Sequence, residues 1–329
     1  MMDMHSWGWL GARRANWMMA AAIAMASACD ADSPDDDGLA QDHPRSGGGA
    51  TCRTCGYKNS PMLGKFALDT FTLPTAAAPA EGLQLVGIVD PGGQAATVKI
   101  DDEAFFAVSG GVTYGGAQLE GWSLVFASGT GERFEVEIAV ATGVLDWATG
   151  ATVPSYTLLY RDPASPDGDD NVCPGVNPDH PSIVLISGER YDFETKSVEP
   201  GLPDMVTLAC HGHAIAKLRM LGYGPNDDAG ATPSQRQAAL KMLTADYCGK
   251  GHSFTAIGQP LDWHDALDTF VSSIADPSRL EAKWTDAGAS CLATPRLVKR
   301  SEVEKECPAL PRCNGTLDLD GNDWISLNP

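Results

Sequence analysis

The clearest periodic signal in the chain runs from Phe134-Glu135-Val136-Glu137-Ile138 to Val140. Apolar and polar residues alternate there with a period of two, as on a strand with one buried face. Trp122, Leu124 and Phe126 alternate in the same way, and Gly129-Thr130-Gly131 between the two segments predicts an antiparallel hairpin. Leu83–Val89 and Thr97–Ile100 flank Pro91-Gly92-Gly93 to the same effect, and Tyr156–Tyr160, Ser182–Ile186 and Met205–Cys210 read as further strands. Strands joined by short turns with one face buried predict a sandwich or a rolled sheet.

After Cys210 the period changes. His213–Leu221 has helical spacing and is closed by Gly222. Thr232-Pro233-Ser234-Gln235 reads as a capping box with proline in the first turn; Leu240, Leu243 and Tyr247 then share a face, and Gly249 suits a left-handed helix end. Asp262 is expected to cap a third helix with Trp263, Ala266, Leu267, Phe270, Val271 and Ile274 on its buried stripe. Asp276-Pro277 is expected to start a fourth turn or helix through Trp284. The fold class expected is therefore α+β: an antiparallel β-rich part over 52–209, a small disulfide-stapled helical part over 210–313, and a C-terminal tail over 314–329.

The N-terminus carries a different kind of information. Arg13 and Arg14 precede an apolar stretch from Trp17 to Met25, followed by Ala26-Ser27-Ala28-Cys29. A positive segment, a short apolar run and small residues before a cleavage point make a secretory signal over 1–28, and the run is about half the ~20 residues that a spanning helix needs. Small residues before a cysteine resemble a bacterial lipobox, with Cys29 as the lipidated residue, although Ala26 stands where that motif usually has Leu. The same residues also fit Ala-x-Ala cleavage, which releases a soluble protein. Cysteine parity favours the lipid: of nine cysteines, lipidation of Cys29 leaves Cys52, Cys55, Cys173, Cys210, Cys248, Cys291, Cys307 and Cys313 to pair in an oxidising compartment. Residues 29–51, rich in Asp and then in Gly, read as a flexible tether.

Charge narrows the partners. The 329 residues carry a net charge of −20, which repels phosphate backbones and excludes nucleic acid as an expected partner. The expected contact is with a membrane, through the N-terminal lipid; a protein or small-molecule ligand is left unspecified, and no cofactor is expected.

Thr244-Ala245-Asp246-Tyr247-Cys248-Gly249, with Leu208-Ala209-Cys210 and Leu221-Gly222-Tyr223 before it and Gly249-Lys250-Gly251-His252-Ser253-Phe254 after it, resembles the ADYC domain, a bacterial family named for those four letters. The likeness extends from about Gly116 to Cys313. It implies an exported, cysteine-rich, lipoprotein-like molecule and brings no assigned activity. Similar sequences carry cysteines where this one has Leu218 and Ala239, so the resemblance implies that the first two helices pack together without a bridge.

Chemistry is weighed at five places. Cys248 beside Asp246, with His252 four residues on, has the elements of a nucleophilic thiol, but half a disulfide at a helix end is the favoured reading. Cys52-Arg53-Thr54-Cys55 has the spacing of a thiol oxidoreductase, against a structural disulfide. His211, His213 and His252 are candidate metal ligands for a metal-dependent hydrolase, against a helix cap and surface histidines. Asp167–Asn171 and Asp318–Asp323 have the carboxylates of calcium loops, without the EF-hand order, against solvated acidic turns. The combined expectation is an exported, lipid-anchored envelope protein acting as a binding or structural module.

Overall fold

Short turns and alternating strands dominate the chain from β1 (Met62–Leu63) onward. There follow β2 (Phe66–Ala67), β3 (Thr70–Thr72), β4 (Leu83–Val89), β5 (Ala95–Asp101), β6 (Ala104–Ser109), β7 (Val112–Gly115), β8 (Ser123–Ser128), β9 (Arg133–Leu145), β10 (Thr152–Tyr160), β11 (Asp170–Asn171), β12 (Ile183–Asp192) and β13 (Ser197–Cys210). Next come α1 (Ala214–Met220), α2 (Pro233–Thr244), β14 (Asp262–Asp265), β15 (Leu280–Thr285), β16 (Gly288–Leu292), α3 (Arg300–Glu306) and β17 (Trp324–Leu327). The structure is a computed structural model and describes residues 61–63, 66–76, 82–161, 170–173, 182–227, 230–256, 259–269 and 276–329. Cys29, Cys52 and Cys55, with the signal and tether readings, lie outside them.

Both predicted hairpins form. Asp90 Oδ1 closes the β4–β5 turn by accepting from Gly92 N and Gln94 N, and β8 and β9 pair in register from Ser123↔Glu137 to Ala127↔Arg133. The sheet then rolls up. Strands β3-β13-β12-β10-β9-β8-β4 follow one another, and parallel pairing of β3 with β4 (Phe71↔Leu83, Thr72↔Gln84) joins the ends into a closed seven-stranded barrel. Of the two arrangements expected, the rolled sheet forms and the sandwich does not. Closure satisfies the backbone groups that two open edges would leave exposed. Strands β5, β6 and β7 continue from the end of β4 as an antiparallel meander.

Side-chain alternation divides the core in two. Ile183 and Leu185 of β12 point into the barrel with Phe71, Phe105, Phe126, Val136, Ile138 and Tyr156. Val184 and Ile186 point outward into a second cluster with Ile215 and Leu218 of α1, Ala239 and Leu240 of α2, Tyr247 and Trp284. A strand buried on both faces reads as an unbroken apolar run, as Ile183-Val184-Leu185-Ile186 does. The second cluster crosses position 210, so the β-rich and Cys-rich segments share one core. Leu218 and Ala239 are fully buried within it and α1 packs on α2, as the resemblance implies.

The C-terminal part departs from expectation. Asp262 begins the strand β14, where Trp263 and Asp265 are buried and their neighbours half-buried, and β14 pairs with β17 from Asp262↔Leu327 to Asp265↔Trp324. Pairing with a segment sixty residues away outweighs the local helical spacing. Phe270, Val271 and Ile274 of the expected stripe lie outside the described residues. Asp276 caps a single 3-10 turn, Pro277–Arg279, after which Leu280–Trp284 belongs to β15. The segment 314–329 supplies β17, which lies between β14 and β15 in a four-stranded sheet, β14-β17-β15-β16. Among the described residues the helical content of this part is thus three short helices beside a sheet. Disulfides join Cys173 to Cys210, Cys248 to Cys307 and Cys291 to Cys313, with Cα separations of 5.6, 5.6 and 4.9 Å.

Candidate functional site

The segment Ala245–Gly251 lies where three elements converge, and each of its side chains has a separate task. Helix α2 starts as its residues dictate: Thr232 accepts from Gln235 N, and the Gln235 side chain accepts from Thr232 N. It ends at Thr244, whose hydroxyl donates back to Leu240 O at 2.7 Å, and Ala245 takes the left-handed cap conformation at φ 51°. Gly249, the residue expected to end the helix, serves another purpose. A Cβ on Gly249 would stand 1.8 Å from Ala287 O, and one on Gly251 1.7 Å from Glu194 O. The two glycines let the β15–β16 turn and the tip of the β12–β13 hairpin meet the segment backbone to backbone.

Asp246 is fully buried. Its carboxylate accepts from Lys241 Nζ at 2.8 Å, Gly251 N at 2.7 Å and Lys250 N at 3.0 Å. Lys241 Nζ also donates to Thr195 O at 2.6 Å and Gly249 O at 3.2 Å, so the three protons of the ammonium have three acceptors. This pair ties α2, the segment and the hairpin tip together. Tyr247 stacks on Trp284 at 5.3 Å and donates its hydroxyl to Glu281, which Arg296 Nε also holds at 2.7 Å. Burial, then the Glu281 charge, pushes the Tyr247 phenol well above its ordinary range. Cys248 is closed to chemistry by its bridge to Cys307, as the favoured reading expects, and His252 Nδ1 binds the Glu306 carboxylate.

Two other buried ion clusters escaped the sequence reading. Arg236 clasps Glu189, which also accepts from Tyr191 OH at 2.8 Å, repeating the tyrosine–glutamate–arginine arrangement around Tyr247. Arg219 pairs with Glu103 and Asp227 near Asp146. Burial is the largest influence on Glu103 and raises its pKa, with Arg219 opposing it. The trace that such buried charges leave in the sequence is a charged residue between apolar ones, as with Glu281 of the Tyr247 cluster in Leu280-Glu281-Ala282-Lys283-Trp284.

The three candidate metal ligands are spent separately. His213 is buried and caps α1, its Nδ1 accepting from Ile215 N at 3.4 Å. His252 is engaged by Glu306. His211 donates its backbone N–H to Ser182 O and lines a shallow groove of about 250 Å³ with Gly143, Val144, Leu145, Trp147 and Met220. Among the described residues no group of three His, Cys, Asp or Glu side chains is placed to hold a metal ion. Of the first acidic loop only Asp170 and Asn171 are described; they form β11, and Asn171 Oδ1 accepts from Cys173 N. In the second, Asp320 pairs with Lys283, whose Nζ also reaches Asp318 O at 2.5 Å.

The profile of the ADYC domain matches residues 116–298. No curated protein and no solved structure matches the chain.

Proposed function

The chain belongs to the ADYC domain family, and from that premise we propose that it is an exported, lipid-anchored protein of the bacterial cell envelope whose folded body acts as a binding or structural module. The observation that carries this reading is the pairing of the six cysteines among the described residues into three disulfides. Structural disulfides persist in oxidising compartments and are rare where glutathione keeps thiols reduced. The N-terminal residues supply the matching address, and lipidation of Cys29 leaves an even number of cysteines for pairing. The net charge of −20 argues against nucleic acid as the partner. The motif supports a structural role in its own right. Asp246 is neutralised by Lys241, Tyr247 is locked on Glu281, and Cys248 is oxidised, so these three side chains are committed to the fold. The metal-hydrolase reading loses its support because His213 and His252 are engaged with different partners.

Intact-mass spectrometry of the protein isolated from its host tests the proposal. The expected species begins at Cys29, carries a diacylglycerol or triacyl mass on that residue, and takes up no thiol reagent before reduction. An unmodified chain that retains residues 1–28 and labels at its cysteines refutes export and anchoring together.

A further inference from the structure

His213 stands one residue before α1, and the fold closes it from two sides. Nδ1 accepts from Ile215 N as the helix cap, and the ring meets Phe193 edge to face with centroids 5.0 Å apart. Only 8 % of the residue is exposed. Phe193 belongs to the tip of the β12–β13 hairpin, which rests on α2 and the motif segment through a small set of contacts. Lys241 Nζ donates to Thr195 O, Gln237 Nε2 donates to Lys196 O at 2.6 Å, Gln237 Oε1 accepts from Val198 N at 2.6 Å, and Glu194 O lies against Gly251. The histidine is the joint between α1 and this tip.

The charged groups that act on the ring are Lys196 of the tip and Lys217 one turn along α1, both cations. Behind Lys196 stand Asp192 and Glu194 of the tip itself and, from α2 and the motif segment, Lys241 and Asp246, which pair with each other. A neutral imidazole that accepts at Nδ1 carries its proton on Nε2. A second proton goes to Nδ1, where a donor then faces the donor Ile215 N–H, and a positive charge joins two lysines at the positive end of a helix. Burial first, then Lys196 and Lys217, lower the His213 pKa from its ordinary 6.5 to about 3.

We propose that His213 is an acid-sensitive latch whose protonation releases the β12–β13 tip from α1 and from the motif segment while the barrel stays closed. The sign follows from the depressed pKa. A histidine held neutral when docked stabilises docking above its free pKa, and that stabilisation falls as pH drops. Below about pH 6.5 the docked-to-free ratio of the tip falls as pH drops, by at most about tenfold per pH unit, the limit for a single proton. The strand pairs of β12 with β10 and of β13 with β3 lie far from the tip along their strands, which leaves the barrel intact.

The test follows the amide signals and hydrogen-exchange protection factors of residues 193–198 in the full-length chain from pH 7.5 to 4, beside the His213 ring signals and the near-ultraviolet circular dichroism of the body. Protection at the tip is expected to fall before the body signal changes. His213→Asn, which keeps a short side-chain acceptor for Ile215 N and cannot titrate, is expected to hold the tip docked over the same range. A wild-type tip that stays protected to pH 4 overturns the proposal, as does release of wild type and His213→Asn at the same pH. If His213→Asn does not fold, the wild-type ring decides: a ring that titrates near 6.5 beside a docked tip overturns the latch.

Discussion

Gly251 shows how much a single missing side chain can decide. Its φ of +84° and the 1.7 Å between a built Cβ and Glu194 O leave no room for alanine, because the obstacle is backbone and cannot rotate away. Gly251→Ala is expected to cost roughly 2–4 kcal/mol in urea denaturation. Gly110→Ala, which shares a positive φ but meets nothing within 4 Å, should cost only about 1 kcal/mol. Equal losses at the two sites would mean that the hairpin tip does not press on the segment. The same residues mark the limit of the sequence reading. Glycine at 249 was legible as a left-handed helix end, but Ala245 ends the helix, and the close approach of Ala287 to Gly249 and of Glu194 to Gly251 comes from segments far along the chain. Asp246 was likewise readable as a motif residue, while its partner Lys241, five positions earlier, had no local mark to separate it from a solvated lysine.

At the scale of elements, local rules held where local energies decide. The capping box at Thr232, the alternation along β9 and the turn at Pro91-Gly92-Gly93 are all present, since each depends on hydrogen bonds or side-chain spacing within a few residues. They failed at Asp262, where aspartate bonds its neighbour's backbone N–H as a cap would, yet the following residues join a strand because β17 arrives beside them. Strand β17 carries much of this region. Trp324 is fully buried, packs on Tyr223 at 4.4 Å and donates Nε1 to Gln235 O at 3.2 Å, and β14 pairs with no other described strand. Trp324→Ala should therefore destabilise by about 3–5 kcal/mol, from the cavity and the lost transfer energy. Circular dichroism should report loss of the small sheet, and a loss below about 1 kcal/mol in chemical denaturation would place β17 outside the cooperative core.

For the whole molecule, the family's matched span of 116–298 is not a self-contained body. Strands β3 and β4 close the barrel from before it, and Cys307, Cys313 and β17 complete the other end from beyond it. The buried tyrosine–glutamate–arginine clusters give the molecule a characteristic response to alkali. Burial is the largest influence on Tyr191 and Tyr247 and holds both well above their ordinary value of 10.0, with Glu189 and Glu281 adding to it. A group whose folded pKa is raised contributes stability that is fully present below its unfolded value and is lost as pH climbs beyond it. Thermal unfolding midpoints should thus fall above about pH 10, at about 1.4 kcal/mol per pH unit for each phenol that unfolding releases. A midpoint unchanged between pH 9.5 and 11 would show that these hydroxyls are not buried as described.

What the chain determined by itself is what nearest neighbours determine: strand alternation, turns, a helix start and the surplus of acid over base. Three things were decided only in three dimensions, namely which strand closes the barrel, which cysteine meets which, and which carboxylate each buried cation finds. Those pairings join residues from 5 to 116 positions apart, as at Lys241–Asp246 and Arg219–Glu103. Their energies depend on removal from water, which no local pattern records.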